Sequence, residues 1–185
     1  AGDRAFDGWL DTIRITGTPL PPELMLSITA PSTTVGYWAF EDGSSLLAAT
    51  TLTNDFNIPF LNGIASGYMG GNSPVFSDRT PPNATHRISA GDNGTILTVH
   101  NGASLRFTNA ELSASSSSKV GGIVTIRGDT QLTQISNFTA EAFVLVDRHV
   151  NYPQIIGKAR KETGGLSWSL GLDAAGKLRA RFDTQ

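Results

Sequence analysis

Period-two alternation governs what this sequence can fold into. In Leu166-Ser167-Trp168-Ser169-Leu170-Gly171-Leu172 every second residue is apolar, so Trp168, Leu170 and Leu172 share one face of an extended strand. Asp173-Ala174-Ala175-Gly176 has turn chemistry, and Lys177-Leu178-Arg179-Ala180-Arg181-Phe182 then alternates again. The two arms form a β-hairpin, expected to turn Leu178, Ala180 and Phe182 inward and its three cations outward. No segment longer than a turn or two carries a helical period. The fold class expected is all-β, an antiparallel β-sandwich of two packed sheets.

The same reading runs along the rest of the chain. Trp9, Asp11, Ile13 and Ile15 fall on one face of a strand, with Leu10, Thr12, Arg14 and Thr16 opposite. Thr18 to Glu23 breaks it, and Pro22 can open a short helical turn through Met25. Residues 30–34 read as a linker. Val35 begins a second block, whose Tyr37-Trp38-Ala39-Phe40 is expected to bury Trp38 and Phe40 together. Asn54 to Pro82 reads as long loops with short strands at most. Ile96 to Val99, Ala103 to Phe107 and Ile123 to Ile126 follow as strands, and Ser113 to Ser118 is a low-complexity, solvated tip. Phe138 to Val146 is an apolar, β-branched run suited to a strand buried on both faces.

Composition removes several function classes. With 39% hydrophobic residues in 185 the chain can build a core, and only 16% are charged, below the roughly 25% of an average globular chain. A net charge of −2 leaves no basic surplus for phosphates, so nucleic acid is not an expected partner. Cysteine is absent, which excludes disulfides, thiolate metal sites and cysteine nucleophiles. No apolar run approaches the ~20 residues of a membrane helix, so membrane insertion is not expected. The opening Ala1-Gly2-Asp3-Arg4 is polar and lacks an initiator Met, so the chain reads as a processed product or an excerpt.

Several segments resemble one family. Phe6-Asp7-Gly8-Trp9-Leu10-Asp11-Thr12-Ile13-Arg14-Ile15, followed by Leu20-Pro21-Pro22-Glu23-Leu24, resembles the closing strand and terminal turn of bacterial laminin-G-like domains. Val35-Gly36-Tyr37-Trp38-Ala39-Phe40-Glu41-Asp42-Gly43 is similar to the opening strand of that family, and Asn137 to Phe143 to its central strand, with Phe143 where a Trp is usual. Gly165 to Leu170 through Arg179 to Phe182 resembles its next hairpin. A family ending thus precedes a family beginning. The resemblance implies a concanavalin-like jelly roll, divided as the C-terminal strand and turn of one domain (1–29), a linker (30–34) and the N-terminal part of a second domain (35–185). Such a sandwich is either incomplete or completed by other residues or chains, with residues 6–16 placed beside Tyr37 to Phe40 in a permuted arrangement.

Chemistry is sparse. The Glu-x-Asp-x-x-Glu strand of concanavalin-like glucanases has no counterpart: Glu141 is followed by Ala142 and Phe143, and Glu41-Asp42 are adjacent. His86, His100 and His149 show no ligand spacing. Hard-oxygen loops at Asp42-Gly43 and Asp92-Asn93-Gly94 make Asp42, Asp92 and Asn93 the calcium candidates, in sequences read first as ordinary turns. Asp11 reads as a buried structural latch needing backbone donors or an arginine. Trp9, Trp38 and Trp168, with Phe40 and Phe143, read as core rather than as sugar platforms. The resulting expectation is a non-catalytic binding or adhesion module of a larger secreted or cell-surface bacterial protein, recognising carbohydrate or a surface protein. An architectural repeat that self-associates through its sheet edges is the alternative, and an accessory domain of a secreted hydrolase the third reading.

Overall fold

The computed structural model describes residues 6–22, 25, 33–55, 61–68, 70–81, 85–90, 95–108, 110–111, 119–126, 132, 137–148, 153–159 and 166–182. Among these residues the fourteen elements are all strands: β1 (Gly8–Thr16), β2 (Thr34–Trp38), β3 (Thr51–Leu52), β4 (Gly63–Tyr68), β5 (Val75–Ser77), β6 (Thr85–Ala90), β7 (Thr95–His100), β8 (Ser104–Phe107), β9 (Ala110–Glu111), β10 (Lys119–Ile126), β11 (Thr139–Val146), β12 (Gln154–Ala159), β13 (Leu166–Leu172) and β14 (Leu178–Phe182). They form a five-stranded sheet in the order β11-β1-β8-β5 with β2 also on β1, a four-stranded sheet β3-β4-β10-β9, a three-stranded sheet β12-β13-β14 and the pair β6-β7. Every pairing is antiparallel. The chain is all-β, as alternation requires.

Strand β1 is enclosed on both sides. Along one edge it pairs with β11 from Gly8↔Val146 to Thr16↔Thr139. Its other edge is shared end to end by β8, through Gly8↔Phe107 to Leu10↔Leu105, and β2, through Ile13↔Trp38 to Thr16↔Thr34. The neighbour expected for residues 6–16 is therefore in place.

Where the second edge passes from β8 to β2, the register against β11 shifts between Asp11 and Ile13, and Thr12 adopts φ 46. This bulge corrects the face assignment along β1. One extra residue inverts the phase of everything beyond it. Leu10 therefore lies in the same core as Ile13 and Ile15, instead of opposite them, and Trp9 lies outside that core. A β-branched residue at positive φ costs roughly 1–3 kcal/mol, which the enclosed strand must offset.

The core joins the two larger sheets. Leu10, Ile15, Trp38, Phe76, Leu105 and Phe107 from the five-stranded sheet cluster with Leu52 and Ala65 from the four-stranded one, and Val124 and Ile126 of β10 pack against them. Two sheets facing across one apolar layer is a sandwich-like arrangement. Trp38 is 1% exposed, and its indole N–H donates to the Leu61 carbonyl at 2.9 Å, so the one polar atom of this large side chain is satisfied.

Two expected burials differ. Strand β11 is the edge of its sheet rather than a strand covered on both faces, and Val144 and Leu145 are 38% and 42% exposed. The hairpin β13–β14 forms with the expected register, Trp168↔Phe182, Leu170↔Ala180 and Leu172↔Leu178. The apolar side of β14 is not buried as expected, however: Leu178 is 72% exposed and Phe182 68%, and Ala180 and Arg181 are exposed as well.

Candidate functional site

The β13–β14 hairpin carries two exposed apolar side chains, Leu178 and Phe182, beside the half-buried Trp168. Gly176, at φ 77, closes the turn, and the Asp173 carboxylate accepts from the backbone N–H groups of Ala175 and Lys177 at 2.8 and 2.9 Å. On the other side of β13, β12 approaches so closely that a Cβ at Gly171 would lie 2.3 Å from the Pro153 carbonyl oxygen. Gly171 and Ser169 are buried, and they stand opposite Arg179 and Arg181 in the register. On that side Arg179 is half-buried, whereas Lys177 and Arg181 are exposed. Alternation leaves Trp168, Leu170 and Leu172 on the other side with Leu178, Ala180 and Phe182.

Phe138, just ahead of β11, stacks on Trp168 with ring centroids 4.9 Å apart and planes tilted by 39°. Lys158 of β12 donates from Nζ to the Leu132 carbonyl at 2.9 Å. Trp168 is half-buried, and its cross-strand neighbour Phe182 is exposed. The result is an aromatic and apolar platform on a flat sheet, able to stack against the C–H face of a sugar ring or to seat apolar side chains.

A second arrangement lies at the β1 bulge and is closed to solvent. Asp11 is 3% exposed; Thr12 Oγ1 donates to its Oδ1 at 3.2 Å, and Asn101 adds a further side-chain bond. Burial pushes its pKa up to about 6, with the Glu41 charge adding to the rise and the bonds from Asn101 and Thr12 opposing it. Asp55, which accepts from Ala39 N–H at 2.8 Å, is likewise raised to about 6 by burial, with Asp42 and Glu41 contributing. Burial, reinforced by the charge of Asp55, pushes the Tyr37 hydroxyl up as well. Glu41 Oε1 accepts from Gly102 and Ala103 N–H at 2.9 and 3.2 Å, tying the turn after β2 to the loop before β8. Beside this layer Arg14, 1% exposed, makes a two-point ion pair with Glu141, Nε to Oε2 at 2.6 Å and Nη2 to Oε1 at 3.0 Å. A carboxyl titrating near 6 is a recognised mark of acid–base chemistry, and this one is 3% exposed.

The residues singled out from the sequence are scattered. Trp38 and Phe40 are 1% and 2% exposed in the core, and Phe143 is half-buried opposite Asp11 in the register. Trp9 donates from Nε1 to Ser77 Oγ at 3.1 Å, and the guanidinium carbons of Arg79 and Arg106 lie 4.2 and 4.3 Å from its ring centroid. Its ring is engaged by cations instead of core side chains. Arg106 also reaches Asp7 at 2.7 Å and Asp147 at 2.5 Å. Asp42 is exposed, and its Oδ2 accepts from Thr53 N–H at 3.0 Å, which braces a turn. Asp92, Asn93 and His149 lie outside the described residues; His86 and His100 belong to β6 and β7. Among the described residues no three His, Cys, Asp or Glu side chains converge as a metal site.

Sequence reasoning missed the outward turn of Leu178 and Phe182 because alternation divides a strand into two faces without saying which is covered. Comparison of this chain with protein-family models, curated proteins and solved structures finds no match.

Proposed function

We propose that this chain is a non-catalytic recognition module of a larger secreted or cell-surface bacterial protein, built on a concanavalin-like jelly-roll sandwich. It holds a carbohydrate on the Trp168–Phe182 face. The carrying observation is the exposure of Leu178 and Phe182, 72% and 68%, on the same side of the sheet as Trp168. Large apolar side chains held outward in register form a contact surface that burial on binding would stabilise. The laminin-G-like resemblance of the strand segments supports the same reading, and so does the absence of glucanase carboxylate spacing from the sequence.

A glycan array with the full chain tests it. Binding that survives dilution, and that Phe182→Ala reduces at least tenfold without loss of the β-type circular dichroism spectrum, is expected. Retention of full glycan binding by Phe182→Ala, or no glycan binding by the wild-type chain, would refute a sugar site on this face. Among the described residues no strand pairs with the outer side of β14, which favours a second reading, the architectural repeat. Concentration-dependent polymers without glycan binding would select it.

A further inference from the structure

Three Asn-Gly pairs occur in the sequence, at 62–63, 93–94 and 101–102. Asparagine followed by glycine is chemically labile, because glycine has no Cβ to keep its nitrogen away from the asparagine side-chain carbonyl carbon. Asn93-Gly94 lies outside the described residues, and the other two pairs are restrained in different ways. Gly63 is held by strand pairing on both sides, opposite Leu52 of β3 and Ile126 of β10, and Asn62 Oδ1 accepts from Asn54 N–H at 2.9 Å. Asn101-Gly102 belongs to the loop between β7 and β8, and there a carboxylate does the holding. Glu41 Oε1 accepts from Gly102 N–H at 2.9 Å and from Ala103 N–H at 3.2 Å.

The fold around this clamp sets it up. Glu41 follows Phe40, whose φ of 63 is a conformation that a bulky residue resists and whose side chain is 2% exposed. The core thus fixes the kink from which Glu41 reaches the β7–β8 loop. Asn101 is 6% exposed and its side chain bonds to Asp11, whereas Gly102 is exposed. While both amides are tied to Glu41, the Gly102 peptide plane cannot rotate to bring its nitrogen over Asn101 Cγ without breaking those bonds.

We infer that Asn101-Gly102 is a latent deamidation site, held shut by Glu41 and unable to close again once it has reacted. On opening, the Gly102 nitrogen gives its proton to solvent and bonds to Asn101 Cγ. The Cγ–Nδ2 bond breaks, and Nδ2 takes a proton from water and leaves as ammonia. Water then opens the succinimide ring at either carbonyl. Cleavage at Cγ leaves aspartate in a normal chain; cleavage at the main-chain carbonyl leaves isoaspartate, with the backbone routed through the β-carbon. Either way the neutral amide bonded to Asp11 is lost and a carboxylate appears beside it, where burial and the Glu41 charge already disfavour ionisation. A reversible opening thereby becomes a permanent loosening of the β2 turn from the β7–β8 loop.

Peptide mapping by mass spectrometry, following the amide-to-acid change at Asn101 and Asn62 in the full chain at mildly alkaline pH, tests this. Asn101 in the folded wild type should convert at least about tenfold more slowly than in urea. Glu41→Ala should accelerate Asn101 at least about tenfold while Asn62 stays slow. Glu41→Gln keeps an accepting Oε1 and should restore most of the protection. Asn101→Asp, the product itself, should keep the β-type circular dichroism spectrum while its Gly102 and Ala103 amides exchange at least about tenfold faster than in wild type. Conversion of Asn101 in the folded wild type as fast as in urea, an unchanged rate in Glu41→Ala, or acceleration of both asparagines together would overturn the inference. Wild-type protection of the two amides in Asn101→Asp would overturn it as well.

Discussion

Replacing Asp11 with asparagine should make the protein more stable at neutral pH, and the gain should vanish in acid. Asp11 is 3% exposed, and its pKa moves from 3.8 to about 6, chiefly through burial. A raised folded-state pKa means that the folded chain binds more protons than the unfolded chain between those values. The wild type therefore loses stability as pH climbs from about 4 to about 6, then levels off. At 1.36 kcal/mol per pKa unit, ionising Asp11 in the fold costs at most about 3 kcal/mol. Asparagine keeps the shape and never ionises. The stability of Asp11→Asn minus that of wild type, from urea unfolding at half-unit intervals between pH 3.5 and 7.5, should rise by about 3 kcal/mol and flatten above pH 6.5 or so. Taking the difference cancels the titration of every other carboxylate. A flat difference curve, or one falling with pH, would show that the Asp11 carboxylate is stabilised as an anion, and the reasoning about its burial would fail.

Breaking the buried ion pair by Glu141→Leu should destabilise by about 3–5 kcal/mol, because Arg14 is left charged and enclosed; adding Arg14→Met should restore most of the loss in a double-mutant cycle. Leu105→Ala, at a fully buried core position, should cost about 2–5 kcal/mol in urea unfolding. Leu46 is 85% exposed at φ 71, so Leu46→Asn gives up little burial and relieves a backbone conformation that leucine resists; a rise in Tm of a few degrees is expected, about 1 kcal/mol. Phe182→Ala should change stability by less than about 1 kcal/mol, since the ring is 68% exposed, so its effect on binding can be read directly.

Much of the β framework was legible in the residues. The β13–β14 hairpin, the strands around Trp38, Leu105 and Val124, and the length of β1 all carry alternation bounded by turn chemistry. What could not be read has physical causes. The bulge at Thr12 leaves no mark, because a β-branched residue is a poor choice for φ 46; it is held there by the change of neighbour from β8 to β2, a tertiary fact. That single residue inverted the faces assigned to Trp9 and Leu10. Strand β12, with Gly157 and two irregularities of register, shows too little periodicity to stand out. Strand β11 looks buried on both faces by composition, yet its edge position is set by pairings distant in sequence. The exposure of Phe182 was hidden for a related reason: alternation gathers apolar side chains on one face without saying whether anything covers that face.

Residue-resolved amide hydrogen exchange tests most directly the contrast on which all of this depends, a β1 paired along both edges and a β14 that, among the described strands, pairs along one. Amides from Ile13 to Thr16 should be among the slowest in the chain. In β14 protection should alternate, with Arg179 and Arg181 slow and Leu178, Ala180 and Phe182 fast. Uniform protection along β14, or exchange in β1 as fast as in a loop, would contradict it.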